Sequence, residues 1–567
     1  MTNPVNNIYF FKRYNMKKSV RFIIPLLIIC FFAAGCDHQN PGKDLPDSPE
    51  DQKEYEIENY DEKLLNETPE ATRAASLDFI FNNSTLGTTT ITIKRSEWNM
   101  LCDNYRYFYK NENCVHALNY KYEKDGKTWS IPNVGFRLRG NTSRFCPQGI
   151  DNGREQGQMN QDWSKEYYEY AEKPNDDYRQ AHFKVDFEEF LGDDEEMKMA
   201  GCMKGVALKR LDSACGREIF CYDLFHRYGI WTAPRACHTR VILEIIEDEK
   251  NNAKTTVDYG VYEMFEEVNK QSLKAREKGD NNSNKNAWKN NKGNLWKCQS
   301  DLVNYDYLQW LMGVEDIRIF FEGETPVGTN ITAKADPNRR RFAYVWDSYS
   351  LDLKTNKDKL DSAKQEFIAF IQELNALSET DVDEIKAFYV KWFDVDFFLK
   401  TYAVSNLCGM DDDYWGNANN FYLYFDTDKK GSGKLYYIPF DYDNTLGGSI
   451  LDVGFKHNPL DWGRGKGRPL MDRLLLVPEY KEKLVKYLLE VSAEDSEWTY
   501  SKCSQRFLDW KTMIDPYLNS PDLDGHISTK GTWYGTWRPE GYSLTDFGNN
   551  IYDATRESFV KWLSPQN

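Results

Sequence analysis

The sequence predicts an α+β fold, with strands gathered in its first half and helices in its second. Three observations carry this. Between Ser76 and Glu263 short segments alternate apolar and polar residues at period two, with one clear helix among them. Beyond Leu302 the spacing changes to that of amphipathic helices. Within that helical part, two aromatic strands from Phe421 to Phe440 form a hairpin flanked by acids and amides.

Taken in order, Thr88–Ile93 and Val134–Arg139 alternate as half-buried strands do. His182–Phe187 puts Phe183, Val185 and Phe187 on one face and Lys184 on the other. Asp212-Ser213 opens a helix over Ala214–Tyr228, whose apolar set is Ile219, Tyr222, Leu224 and Phe225. Val241–Ile246 and Tyr259–Met264 pair as a hairpin across a polar loop, Glu247–Thr256. Gly279–Lys297 is Asn/Lys-rich and reads as an exposed loop. Helices follow at Ser362–Leu377, Asp381–Trp392, Asp396–Leu407, Pro478–Ala493 and Thr545–Leu563. No internal repeat is visible.

The first residues read as an address. Lys17, Lys18 and Arg21 precede an apolar run from Phe22 to Phe32, then Ala33-Ala34-Gly35-Cys36. This order matches a secretory signal. Cys36 after Ala-Gly resembles the bacterial lipobox, which makes it the lipidated first residue, and Met16 is an alternative start. Residues 1–36 are thus expected to be a lipoprotein signal and 37–72, rich in Pro and acids, a flexible acidic tether. The body is expected over 73–567. A membrane partner through Cys36, an exported location and exposure at the surface of the outer membrane follow as expectations. Ten cysteines remain beyond Cys30 and Cys36; none forms a CxxC pair, so a structural zinc site is not expected. A net charge of −17 across 567 residues speaks against a general nucleic-acid binder.

The chemistry concentrates between Asn406 and Gly448. Met410-Asp411-Asp412-Asp413 ends a helix, Asn417-Ala418-Asn419-Asn420 follows, and strands Phe421–Phe425 and Lys434–Phe440 are joined by a Gly/Asp-rich turn. Antiparallel pairing returns the chain, so Asn420 and Asp441 finish as neighbours, with Asp412 at the same end. Phosphoryl transfer uses such a set: a carboxylate for the proton of the attacking hydroxyl, and an Asn oxygen with a second carboxylate for Mg²⁺. Solvated acids at a sheet rim are the plainer alternative. Upstream, Lys184 is a candidate for the α/β-phosphates. Glu218 on the following helix is expected to orient it by an ion pair, with Glu266 a competing partner. Gly135–Arg144 echoes a Walker A loop, but Asn141 replaces its Lys. What remains is a Gly140-Asn141 turn offering N–H groups to phosphate, with Arg137, Arg139 or Arg144 beside it. Asp426-x-Asp428 with Gly431 echoes a calcium loop, but Lys430 takes a ligand position, so it reads as a turn. GxSxG and HExxH are absent, which removes the usual hydrolase readings.

These stretches resemble the CotH kinase family. The matching blocks are GFRLRGNTSR (Gly135–Arg144), FKVDFEEF (Phe183–Phe190), GVALKRLDSACGRE (Gly205–Glu218), GIWTAPR (Gly229–Arg235) and GVYEMFEEVN (Gly260–Asn269). LKTN (Leu353–Asn356), DDYWGNANNFYLY (Asp412–Tyr424), IPFDYDNTLG (Ile438–Gly447) and RPL (Arg468–Leu470) complete the series. The resemblance implies an atypical protein-kinase-like fold of two lobes, a β-rich N-lobe over about 76–270 and a mostly helical C-lobe over about 300–567. It implies ATP with Mg²⁺ or Mn²⁺, Asp412 as general base, Asn420 and Asp441 on the metal with Asp443 as a further contact, and Lys184 on phosphate. Arg139 and Asn141 belong to the nucleotide side. Asp411 and Asp413 flank the base, and the FYLY register favours Asp412. The expected activity is phosphoryl transfer to Ser/Thr of a surface or secreted protein. The alternative is a non-catalytic adhesion or scaffold lipoprotein on the same fold.

Overall fold

The computed structural model describes residues 76–107, 114–140, 146–149, 178–191, 198–200, 203–211, 216–248, 250–251, 253–276, 288, 290–298, 351–410, 412–416, 419–446, 458–462, 468–518, 520–523 and 551–563. All of them lie in one compact unit, Leu45–Asn567. Cys36, Asn141, Arg144 and Asp411 fall outside the described residues, as do the whole signal and the whole tether.

Seven strands close into a barrel. They are β1 (Gly87–Lys94), β2 (Val115–Lys124), β3 (Lys127–Leu138), β4 (Phe183–Asp186), β5 (Gly205–Arg210), β6 (Ala236–Asp248) and β7 (Ala253–Glu266), in the order β1-β2-β3-β4-β5-β7-β6. β1 closes the barrel by pairing parallel with β6, and the other pairs are antiparallel. Alternation decides what points inward: Phe183, Val185, Val206, Leu208, Tyr262 and Met264 share the interior. Lys184 and Ala207, in register with each other, lie on the outer face. The hairpin expected from Val241 to Met264 is present but longer, and only a short turn separates β6 from β7. The helix α1 (Arg95–Tyr107) was not expected from the sequence.

Outside the barrel, α2 (Arg217–Arg227) starts later than Ala214 among the described residues, with Gly216 as its N-cap. Gly216 has φ 134, and a Cβ there would come within 2.8 Å of His238 Nε2, so only glycine lets the helix start this close to β6. A short helix, α3 (Lys270–Lys274), is capped by Asn269.

A second sheet has the order β11-β10-β8-β9, all antiparallel. It consists of β8 (Asn294–Cys298), β9 (Leu351–Leu353), β10 (Phe421–Asp426) and β11 (Lys434–Pro439). β8 corrects the loop reading of Gly279–Lys297. The polar composition hides three apolar anchors, Trp288, Leu295 and Trp296, all buried. In the β10–β11 turn, Asp426 Oδ2 accepts from Ser432 N at 2.8 Å, and a Cβ on Gly431 would press to 2.2 Å of Asp426 O. The acid therefore ties its own turn together, as expected of a turn.

The helices are α4 (Leu360–Ala376), α5 (Val382–Trp392), α6 (Val395–Cys408), α7 (Pro469–Leu474), α8 (Pro478–Val491), α9 (Tyr500–Ile514) and α10 (Ile551–Leu563). Asp381 and Asp394 cap α5 and α6 by accepting from Glu384 N and Phe397 N. Gly409, left-handed at φ 66, ends α6 and turns the chain toward Asp412. One apolar core joins the outer face of the barrel, α2, one face of the small sheet and these helices. Among the described residues no helix is long and apolar enough to cross a membrane. Of the eight described cysteines, seven are buried and Cys114 is half-buried.

Candidate active site

The hairpin does bring its acids and amides to one end. Phe421 pairs with Pro439 at the base of the two strands. Immediately outside, Asn420 (φ 51) and Asp441 (φ 60) both adopt the left-handed conformation. Asn and Asp tolerate this region because a short polar side chain bonds locally. Both turns bend the chain out of the sheet and toward Asp412. Asn420 Nδ2 donates to Asp412 Oδ2 at 3.1 Å, and Asn444 Nδ2 donates to the same oxygen at 3.3 Å. Asn444 Nδ2 also reaches Asp443 Oδ1 at 2.8 Å, so one buried amide links the two carboxylates. The Asn444 oxygen is buried with no hydrogen-bond partner.

Asp412 and Asp413 have separate tasks. Asp413 is fully buried and accepts from Ser405 Oγ (2.8 Å), Tyr442 Oη (3.0 Å) and the Trp415 N–H (3.0 Å). It pins the loop to α6. Arg468, from the RPL block, donates to Gly416 O and anchors the same loop from the other side. Asp412 is the acid left facing Asn420 and Asn444.

The ion pair expected between Lys184 and Glu218 is not formed. Lys184 Nζ lies 3.1 Å from Glu267, on the partly exposed rim. Glu218 instead meets Lys209 of β5, at 2.6 Å. The register explains the difference. Lys184 is opposite Ala207, on the same face as Lys209 but one strand away and two residues short of it. With strands about 4.8 Å apart and residues about 3.4 Å apart along them, that displaces Lys184 by roughly 8 Å. Glu266, the competing partner, is engaged elsewhere: Arg276 grips both its oxygens at 2.7 and 2.6 Å.

Lys209 is the residue that sequence reasoning missed. Its ammonium bonds Glu218, bonds Asp441 Oδ1, and lies 3.6 Å from Asp443 Oδ2. Glu218 Oε1 accepts from Tyr222 Oη at 2.9 Å, and Tyr222 Oη accepts from the Asp441 N–H at 2.8 Å. Lys209, Glu218, Tyr222 and Asp441 therefore close a ring of hydrogen bonds joining the barrel, α2 and the hairpin. One ammonium serves three carboxylates. Burial pulls the Lys209 pKa down, but Asp441, Glu218 and Asp443 raise it well above the usual lysine range. Burial pushes Asp441 up, but Lys209 and Arg139 hold it below the usual carboxylate value. Glu218, the most buried of the three, is pushed up to about 7, by burial first, with Lys209 opposing and Asp441 and Asp443 adding repulsion. Arg139 follows β3, its N–H bonded to His182 O at 2.9 Å, with its charge within reach of Lys209 and Asp441.

Donor chemistry at this end is hard oxygen throughout: Asp412, Asn420, Asp441, Asp443 and the unpartnered oxygen of Asn444. Among the described residues no group of three or more His, Cys, Asp or Glu is arranged to hold a metal. A divalent ion here would draw on amide oxygens beside the acids, and oxygen donors of this kind suit Mg²⁺ or Mn²⁺.

A family model described as CotH kinase protein matches residues 157–550, more than half of the chain. The chain belongs to the CotH kinase family. A search of the curated proteins finds no match. The CotH segment holds Lys184, Lys209, Glu218, Asp412, Asn420, Asp441 and Asp443, while Arg139 and strands β1 to β3 precede it. Kinase-type chemistry, with ATP and a divalent metal, is what the family implies in general.

Proposed function

We propose that this CotH family chain transfers the γ-phosphoryl group of ATP to a Ser or Thr hydroxyl of an exported or surface protein. The closed ring of Lys209, Glu218, Tyr222 and Asp441 is the observation that carries the reading. A buried lysine held by a helix carboxylate beside a metal-type aspartate is the arrangement that positions nucleotide phosphates in kinases. In this reading the barrel with α2 is the N-lobe, and the small sheet with its helices is the C-lobe.

Asp412 accepts the proton of the acceptor hydroxyl, its carboxylate oriented by the amides of Asn420 and Asn444. Asn420 and Asp441, with Asp443 beside them, would hold the divalent ion. When bound, that ion would supply charge neutralisation to the phosphates. Lys209 takes the phosphate contact assigned from the sequence to Lys184, Glu218 fixes its position, and Arg139 adds a cation at the barrel rim. Asn141 belongs with Arg139 by sequence alone. Export and lipid attachment through Cys36 are part of the same proposal, supported by the basic, apolar and small-residue order of the first residues.

The test is transfer of radiolabelled γ-phosphate from ATP onto the full chain with Mn²⁺, beside Asp412→Asn and Asp441→Asn. General-base catalysis contributes about 10²- to 10⁴-fold, so Asp412→Asn is expected to lose at least about a hundredfold, and Asp441→Asn about a hundredfold or more through lost electrostatic stabilisation. Equal labelling by all three proteins sinks the catalytic assignment. Labelling by none shifts the account to a scaffold on the same fold.

A further inference from the structure

The helix that carries Glu218 is gripped on two opposite sides, and only one of them belongs to the ring. At about 100° per residue, Glu218, Tyr222 and Phe225 fall within about 60° of one another on α2, and Phe220, Asp223 and Arg227 form a second stripe on the far side. The first stripe faces the site. Glu218 meets Lys209, Tyr222 accepts from the Asp441 N–H, and Phe225 stands edge-on to Tyr442 at 5.1 Å. The second stripe faces α9. Phe220 stacks on Phe507, ring centroids 4.7 Å apart, with Trp510 edge-on at 6.4 Å. Arg506, nine-tenths buried, sets its guanidinium 4.8 Å from the centre of the Phe220 ring and donates to Asp223 Oδ2 at 2.8 Å. It also donates to Glu497 O at 2.7 Å, and Arg227 joins Asp223 to the Glu497 carboxylate.

α9 is itself tied to the barrel. Trp510 stands edge-on to His238 of β6, ring centroids 5.7 Å apart. Just beyond the helix, the Tyr517 ring lies 4.7 Å from the Arg240 guanidinium, Ser520 donates to Asp258 O, and Asp522 accepts from the Asp258 N–H at 2.8 Å. Gly260 is left-handed at φ 71, and a Cβ there would sit 3.1 Å from Tyr517 O, so a larger residue would push this segment off the strand. Asp258 and Gly260 belong to β7, which pairs with the strand of Lys209. A segment from late in the chain therefore returns to the barrel that carries the lysine, and on its way covers the back of the helix that carries the glutamate.

We propose that α9 and the segment after it form a built-in brace for α2, and that Arg506 is a positioning residue that keeps Glu218 aimed at Lys209. Burying a carboxylate costs free energy, so a helix held on one side only would relax by rolling Glu218 toward water. Contacts on the opposite stripe resist that roll. An arginine suits the place because its planar group stacks on Phe220 while its nitrogens bond Asp223 and Glu497 O. The use of the brace in phosphoryl transfer rests on the kinase reading. The brace itself concerns one ion pair, which can be followed without any transfer.

Trace acetylation of the full chain with acetic anhydride, read at each lysine by mass spectrometry, reports how well the Lys209 amine is held. The parent is compared with Arg506→Met, Asp223→Ala, Glu218→Gln and the double variant Arg506→Met/Glu218→Gln. Lys511→Met, an exposed change on α9 whose lysine pairs with Asp515, is the control. Lys124, buried in the barrel on the carbonyls of Ile80 and Asn82, reports general loosening. A hydrogen bond to a charged group corresponds to about 10- to 100-fold in an equilibrium, so Arg506→Met is expected to speed Lys209 acetylation about tenfold or more. Asp223→Ala should act in the same direction, while Lys511→Met leaves Lys209 as in the parent and Lys124 stays unchanged throughout. With Glu218→Gln in place, Arg506→Met should add less than about threefold, because it acts through Glu218. An unchanged Lys209 in Arg506→Met overturns the brace, and so does a full further increase in the double variant. If Lys124 rises with Lys209 in Arg506→Met, Asp223→Ala decides: a rise at Lys209 alone supports the brace, and no change or a shared rise overturns it. A parent protein that transfers no phosphate leaves this result standing and counts against the kinase reading alone.

Discussion

Glu266 and Glu218 are both buried glutamates in ion clusters, and the two clusters have opposite balance. Glu266, at the end of β7, is gripped at both oxygens by Arg276 and also accepts from the Arg235 N–H at 3.1 Å. Burial raises its pKa, but Arg276 and Arg235 overcome that and hold it at about 2. Glu218 shares one lysine with Asp441 and Asp443 and is pushed up to about 7. Cations exceed carboxylates around the first glutamate, and carboxylates exceed cations around the second. A cluster with its charge satisfied holds structure in place. One with surplus carboxylate is incomplete and receives a cation readily. The difference separates a latch from a site with chemistry to do.

Breaking the latch is expected to have the larger effect on folding. Arg276→Met leaves Glu266 charged, buried and without its bidentate partner, a loss of about 3–5 kcal/mol by the usual cost of halving a buried pair. Urea unfolding measures it. A midpoint equal to that of the parent would erase the contrast between the clusters.

The Glu218 cluster is expected to respond more weakly and with a pH signature. The folded pKa of Glu218, about 7, lies above its ordinary 4.5. Its contribution to stability is therefore intact below pH 4.5 and is lost as pH rises through 7. Glu218→Gln removes that titration, so its stability relative to the parent should climb across this interval and level off above it. Thermal melts at pH 5 and pH 8 check the sign. A difference independent of pH would place Glu218 among ordinary paired carboxylates.

Parts of this arrangement were legible in the sequence because they depend on near neighbours. The hairpin returns the chain over a short span, so Asn420 and Asp441 had to meet at its base, and Asp412 lies only a few residues upstream. Asp381 marked the start of α5 by the same local logic, whereas α6, expected from Asp396, starts at Val395 with Asp394 as its cap. Lys209 was not legible, although its strand directly precedes α2. Gly-Val-Ala-Leu-Lys-Arg-Leu shows no alternation, and choosing between Lys184 and Lys209 requires the register of β4 on β5, which no local spacing encodes. β8 was missed for a different reason: its few apolar anchors are diluted by asparagines and lysines, and pairing with β10 makes it a strand. Asn444 sat inside a recognised block, but its link to Asp412 spans 32 residues and became apparent only from the folded chain.

The central claim is that phosphate chemistry runs through Lys209 and its ring rather than through Lys184. Radiolabel transfer from ATP by Lys209→Met and Lys184→Met, each confirmed folded by circular dichroism, tests it most directly. The account predicts that Lys209→Met falls by about a hundredfold or more, on the scale typical of lost electrostatic stabilisation, while Lys184→Met stays within about threefold of the parent. Loss of transfer in Lys184→Met, with Lys209→Met still active, would contradict it.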